Sequence, residues 1–367
     1  MGAYILHMRP RQLRHTIAKE ALETNKEKPM SLVRSLLKSA ALISLVATSA
    51  AFGTTMARAD EKVTIIVGGY EKQIYLPAKL AEALGYFKDE GLDVELLNEA
   101  AGVDAENEML AGNVQGVVGF YDHCIDLQGK GKFVESVVQF SQAPGEVELV
   151  STKHPEIKSP ADFKGKSLGV TGLGSSTNFL TQFLAVKNGV TLGEFTSVPV
   201  GAGATFIAAM QQDKIQAGMT TEPTITRLLK TGEASVLIDM RTMEGTKAVL
   251  GGTYPAASLY MQTAWVESHK DTVQKLANAF VKTLKFINTH SAEEITDKMP
   301  KDYYAGDKEG YVKAMAAGKA MFTADGVMPE GGPETVLNVL SSFKKDLQGK
   351  QIDLSKTYTT EFVKSVK

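Results

Sequence analysis

Between residues 63 and 262, short β-branched runs alternate with amphipathic stretches, the pattern of a mostly parallel sheet covered by helices. Strands are predicted at 63–69, 92–97, 114–121, 134–140, 147–153, 167–171, 196–200, 215–221, 234–239 and 258–262. Helical periodicity falls between them at 76–88, 106–111, 125–130, 177–188, 204–211 and 223–230. Several of these helices run out at glycine, as in Asn188-Gly189 and Thr231-Gly232, which suits a left-handed C-cap. From about residue 269 the strand patterns stop, and helices at 271–289, 292–298, 308–321 and 333–346 take over. Pro- and Gly-bearing segments at 154–160 and 251–255 divide the α/β region. The chain is expected to cross from a first lobe to a second near 148–155 and to return near 250–258. Residues 60–150 plus 256–367 then form lobe one with the helical tail, and 151–255 form lobe two. Two crossings make a hinge, with a cleft between the lobes.

The segment before this region has a different character. Residues 30–59 combine a short cationic start carrying Arg34 and Lys38, an apolar or small-residue run over 39–53, and Ala57-Arg58-Ala59, the pattern of a signal-peptidase site. The apolar run is too short for the roughly 20 residues of a membrane-spanning helix. Cleavage after Ala59 is expected, giving an exported, periplasmic protein that begins at Asp60. Residues 1–29 read as an extension upstream of the true start, or as a long n-region.

Charge narrows the partners. Of the 40 Lys and Arg, nine lie in residues 1–59, and of the 42 Asp and Glu, three do, so the mature chain carries 31 basic against 39 acidic side chains. That negative balance disfavours nucleic acid and anionic lipid as partners, since both need a basic footprint. Any anion site must therefore be local. Cys124 is the only cysteine, which excludes an intramolecular disulfide, and it reads as a small buried residue. The histidines show no metal-ligand spacing, no cofactor motif is present, and G-x-S-x-G, H-E-x-x-H and P-loop patterns are missing.

Several segments together carry a resemblance. Leu76 to Glu95, with its Gly85-Tyr86-Phe87 and Gly91-Leu92-Asp93-Val94, is followed by Leu110-Ala111-Gly112-Asn113-Val114 and by the stretch from Ile157 to Val170. Gly174-Ser175-Ser176-Thr177, Ile215-Gln216-Ala217-Gly218 and Glu222-Pro223 complete the series. In this order, behind an export signal, the chain resembles the nitrate, sulfonate and taurine type of ABC-transporter substrate-binding protein, over nearly the whole mature length. The resemblance implies a two-lobed type II periplasmic-binding-protein fold, each lobe a mixed sheet flanked by helices, that closes on a small-molecule ligand. It further implies a non-catalytic monomer that delivers its ligand to the transmembrane subunits of an ABC permease.

In open α/β sheets ligands sit beyond the C-terminal ends of strands, so four strand ends hold the candidate site. Gly68-Gly69-Tyr70-Glu71-Lys72-Gln73 offers close backbone approach with Tyr70, Glu71 and Lys72 as contacts. Lys72 is either an anion partner or a solvated lysine. In Phe120-Tyr121-Asp122-His123, Tyr121 is expected as a cleft wall and Asp122 as a ligand contact or a helix cap. Ser175, Ser176 and Thr177 open a helix behind glycines, where free N–H groups and hydroxyls suit an anion, with plain helix capping as the other reading. Glu222 is a contact or a cap beside Pro223, which is expected at the first helical position, and Tyr254 is a further wall. Trp265 reads as packing.

The ligand expected from these residues is a small organic anion: a sulfonate, a taurine-like compound or an aromatic carboxylate. Thr221 stands where the taurine and alkanesulfonate pattern has Trp, which argues against a sulfonate, while Tyr70, Tyr121 and Tyr254 suit a flat, partly apolar anion. The alternatives are a pyrimidine or thiamine-precursor binding protein, a biosynthetic enzyme on the same fold, or an exported sensor. The enzyme of thiamine-pyrimidine synthesis on this fold needs a cysteine cluster that one Cys124 does not supply.

Overall fold

The computed structural model describes residues 61–304 and 306–366. The expected leader and its cleavage site lie outside the described residues. The first lobe begins with the β-branched strand β1 (Glu61–Val67), whose inward residues Val63, Ile65 and Val67 are buried. There follow α1 (Leu76–Ala83), α2 (Tyr86–Asp89), β2 (Leu92–Asn98), α3 (Gly102–Leu110), β3 (Gly116–Phe120), α4 (Asp122–Gly129) and β4 (Val134–Gln139). The second lobe holds β5 (Glu146–Ser151), β6 (Ser167–Val170), α5 (Ser176–Lys187), β7 (Thr196–Pro199), α6 (Ala204–Gln211), β8 (Ala217–Thr221), α7 (Thr224–Lys230), β9 (Ala234–Asp239) and α8 (Met243–Leu250). The chain then returns through β10 (Ala257–Gln262) to α9 (Thr263–Ser268), α10 (Lys270–Thr289), α11 (Ala292–Lys298), α12 (Lys308–Gly318), α13 (Gly332–Ser341) and α14 (Glu361–Lys364). Among the described residues no helix is long and apolar enough to cross a membrane.

Two five-stranded sheets result, ordered β2-β1-β3-β10-β4 and β7-β6-β8-β5-β9. Each has four strands running in one direction and one antiparallel strand, β10 or β5, inserted between its neighbours directly after the chain has crossed over. That insertion corrects the expected crossing point. The strand predicted at 147–153 is not a link between lobes, because Glu146–Ser151 pairs with β8 and β9 inside the second sheet. The outward crossing falls at 140–145 and the return at 251–256.

An apolar core runs through the first lobe and on into α5, where Phe179, Leu180 and Leu184 are buried. A smaller cluster, with Val147, Leu149, Phe206 and Ile225, fills the far side of the second sheet. The helical tail touches both lobes. Lys344 lies 2.6 Å from Asp126 of α4 and 3.9 Å over the ring of Phe179 on α5, while Asp307 pairs with Lys230 of α7 at 3.3 Å. The lobes themselves meet through the Gln73 amide, which donates to the Glu222 carbonyl at 3.0 Å.

Candidate functional site

Three helices begin where the lobes face each other: α3 and α4 from the first, α5 from the second. Helix N-termini carry unpaired amides and a positive dipole end, so they make the local positive field that a chain of negative net charge lacks elsewhere. The first residues of α3 and α5, Gly102 and Ser176, both line a small pocket between the lobes. The pocket is nearly closed, with a free volume of only about 10 Å³, and its other walls include Lys72, Tyr75, Phe120, Glu146, Ser175, Thr177 and Thr221. Close approach is built in. A Cβ on Gly172 would lie 2.8 Å from the Ala101 side chain in the opposite lobe.

The residues lining this pocket are buried and unevenly satisfied. Lys72 is 3 % exposed, and its ammonium donates to the Gly68 carbonyl and, at 3.1 Å, to the Ala100 carbonyl. Burial lowers its pKa, against the opposing pull of Glu71, Glu146 and Asp104. The Ser175 hydroxyl has no partner, and although Ser175 is the N-cap residue of α5, no side chain caps that helix. Ser176 instead donates to Asp122 across the lobes at 2.7 Å. Thr177 accepts the Thr171 amide at 3.0 Å, which holds the glycine loop against the helix start.

Asp122, the first residue of α4, is fully buried and also receives the Tyr254 hydroxyl at 3.1 Å. Burial raises its pKa, while the neighbouring His123 and the two hydroxyl donors work against that rise. His123 is itself in a buried pair with Glu106 at 2.5 Å; burial alone would lower its pKa, but Glu106 holds it up. These groups pack α4 against α3 and keep Asp122 aimed at Ser176.

Of the residues picked from sequence, Lys72, Ser175, Ser176 and Thr177 line the pocket, and Asp122 and Tyr254 form a hydrogen-bonded layer behind Ser176. Tyr70 and Glu71 line a separate, more open groove with Arg227 and Tyr303; the Tyr70 and Tyr303 rings are 6.0 Å apart. Tyr121 is not a cleft wall. Its hydroxyl bonds Thr357 and its ring meets Tyr358 edge-on in the tail. Glu222 acts as a cap, since its carboxylate accepts the Thr226 amide at 2.9 Å and pairs with Arg241 at 2.9 Å. Pro223 precedes the first helical residue rather than occupying it. Tyr75 and Phe120, packed edge-to-face at 6.1 Å, form the aromatic wall that sequence reasoning assigned to other tyrosines. Glu146 was absent from the candidates, and Thr221 belonged to the fourth candidate strand end without being named as a contact. Among the described residues no group of three or more His, Cys, Asp or Glu is placed to hold a metal ion. Cys124 is fully buried, and burial pushes its thiol well above the ordinary range.

Two mixed sheets joined by two crossings, with a buried polar pocket between them, define a type II periplasmic-binding-protein fold. Over residues 75–294 the sequence matches the family described as NMT1/THI5 like, and the chain belongs to that family. A solved structure from Bordetella bronchiseptica RB50 is 37 % identical, with a TM-score of 0.80 over 84 % of this chain and 96 % of that one. The alkanesulfonate-binding protein SsuA from Xanthomonas axonopodis pv. citri, bound to MOPS, is similar in fold at 15 % identity, with a TM-score of 0.65 over 83 % of this chain and 100 % of its own. YtlA of Bacillus subtilis (strain 168) is 22 % identical over 235 residues, 62 % of this chain and 67 % of that protein.

Proposed function

We propose that the protein is the solute-binding component of an ABC importer, working outside the cytoplasmic membrane as a monomer. It captures a small organic acid between its lobes and presents the closed, loaded form to the permease. One observation supports this most: the start of α5 is uncapped, and the buried, unpartnered Ser175 hydroxyl beside it faces the inter-lobe pocket together with Lys72. Ordinary helix capping would have used that hydroxyl on an α5 amide. A sulfonate or carboxylate seated there would accept from Ser175, from the first amides of α5 and from Lys72, and such charge-assisted bonds are the stronger kind. Tyr75 and Phe120 would pack on its carbon skeleton. The buried, high-pKa thiol of Cys124 supplies no nucleophile, which favours binding over catalysis.

Thermal-shift screening of the purified mature protein against sulfonates, aromatic carboxylates and pyrimidines tests the reading. A saturable rise in melting temperature with an organic acid is expected, because a ligand that binds only the folded state stabilises it. A response restricted to neutral pyrimidines would overturn the anion assignment.

A further inference from the structure

Glu146 is the first residue of β5, placed in the pocket wall directly after the chain enters the second lobe. It is 2 % exposed, and its Oε2 atom has no hydrogen-bond partner. Thr221 lies opposite it in the β5–β8 register, also 2 % exposed, also with an unpartnered hydroxyl, and also in the pocket wall. A buried carboxylate without a partner is costly, and native structures keep one mainly where something else completes it. Of the other carboxylates nearby, Asp122 receives Ser176 and Tyr254 on its two oxygens. Glu148 receives the Thr181 hydroxyl at 3.1 Å on one oxygen and leaves the other without a partner, but it does not line the pocket. The Lys72 ammonium donates to the Gly68 and Ala100 carbonyls, and both Lys72 and Glu146 line the pocket. Burial pushes the Glu146 carboxyl well above its ordinary range, with Asp122 and Glu148 adding to the rise and Lys72 opposing it.

We infer that Glu146, assisted by Thr221, is a ligand-binding residue that accepts from an amino group on the solute. The solute is then an amino-bearing acid, its acidic end at the α5 start and Lys72 and its N–H end at Glu146. This rests on the reading of the inter-lobe pocket as the solute site, and it adds the second pole of the ligand. A hydroxyl-only or hydrocarbon acid would meet Glu146 with nothing to donate or with too weak a donor.

Calorimetry on matched pairs that differ only in the amine tests it: taurine against ethanesulfonate, β-alanine against propionate, 4-aminobenzoate against benzoate. For the wild-type protein the amino member of at least one pair is expected to bind at least about tenfold more tightly, in the range for a hydrogen bond to a charged group. Glu146→Gln should reduce that preference to near one. It should also raise the melting temperature of the ligand-free protein, because the unpaired buried acid is gone. Should Glu146→Gln fail to fold, Glu146→Asp, which withdraws the charge by one methylene, is read in the same way. Equal binding of both members by wild-type protein, or an amine preference that survives in Glu146→Gln, would overturn the inference and leave the solute-pocket reading intact. Binding of no member of any pair would overturn both.

Discussion

Glu148 lies two residues beyond Glu146 on the same face of β5, fully buried beneath α5. Burial raises its carboxyl from 4.5 to about 8, against the opposing effect of the Thr181 hydroxyl bond. A folded pKa above the unfolded one means that the native state holds the proton more tightly. The resulting stabilisation is complete below pH 4.5 and is lost progressively as pH rises towards 8. Each unit is worth about 1.4 kcal/mol, so this one residue costs about 3 kcal/mol at pH 7 relative to an unshifted acid, and ~5 kcal/mol above pH 8. Glu148→Gln keeps the shape and an acceptor for Thr181 but does not titrate. Urea unfolding at pH 6 and pH 9 should therefore show the variant gaining about 2 to 3 kcal/mol on the wild-type protein between the two conditions. Glu146 and Asp122 are common to both proteins, so the difference isolates Glu148. Parallel stability-versus-pH curves would refute the argument, and with it the placement of an ionisable acid in a dry layer under α5.

Ser175→Ala should weaken ligand binding by about 1 to 2 kcal/mol, measured by calorimetry, with little change in melting temperature, since the hydroxyl caps nothing in the ligand-free protein. A fall in melting temperature at constant affinity would instead mark it as a helix-start residue only. Gly172→Ala places a methyl 2.8 Å from Ala101 across the cleft, so the variant should fold normally yet hold its lobes further apart. Small-angle scattering should show a larger radius with ligand present, and calorimetry a lower affinity; wild-type values in both would mean that the lobes do not need this close approach.

The fold was largely legible because strand periodicity is local. Each of the ten predicted strands falls within about two residues of an observed one, and the apolar runs are buried except in the edge strands β2, β7 and β9, which are only partly covered. The lobe boundary was not legible. β5 belongs to the second sheet because of partners that lie some 70 to 90 residues further along the chain, and no local pattern shows that pairing. α8 escaped notice for a different reason: Gly245 interrupts its sequence, and the helix is held by the Thr242 side chain at its start and by Gly251 in the left-handed conformation at its end.

At the site, Lys72 and Ser175 to Thr177 were readable because strand ends followed by glycines and hydroxyls announce exposed backbone donors. Glu146 was not. In Glu146-Val147-Glu148-Leu149, alternating acid and apolar residues read as a strand with one face in water, whereas every residue of β5 is buried. The available signal was the pair of acids within a run otherwise free of turn residues, at a point where the chain passes between lobes. Tyr121 failed for a related reason: it follows a strand, as a cleft residue would, but the helical tail supplies Thr357 and Tyr358 to receive it, and a tail docked from 236 residues away leaves no local trace.

We propose that the solute sits in the inter-lobe pocket. A crystal structure of the protein with the acid returned by the thermal-shift screen tests this most directly. The acid group is expected within hydrogen-bonding distance of the Ser175 hydroxyl, the first amides of α5 and the Lys72 ammonium, with Tyr75 and Phe120 against the ligand body. Ligand bound instead in the open groove of Tyr70, Arg227 and Tyr303, with no ligand against Ser175 and Lys72, would contradict it.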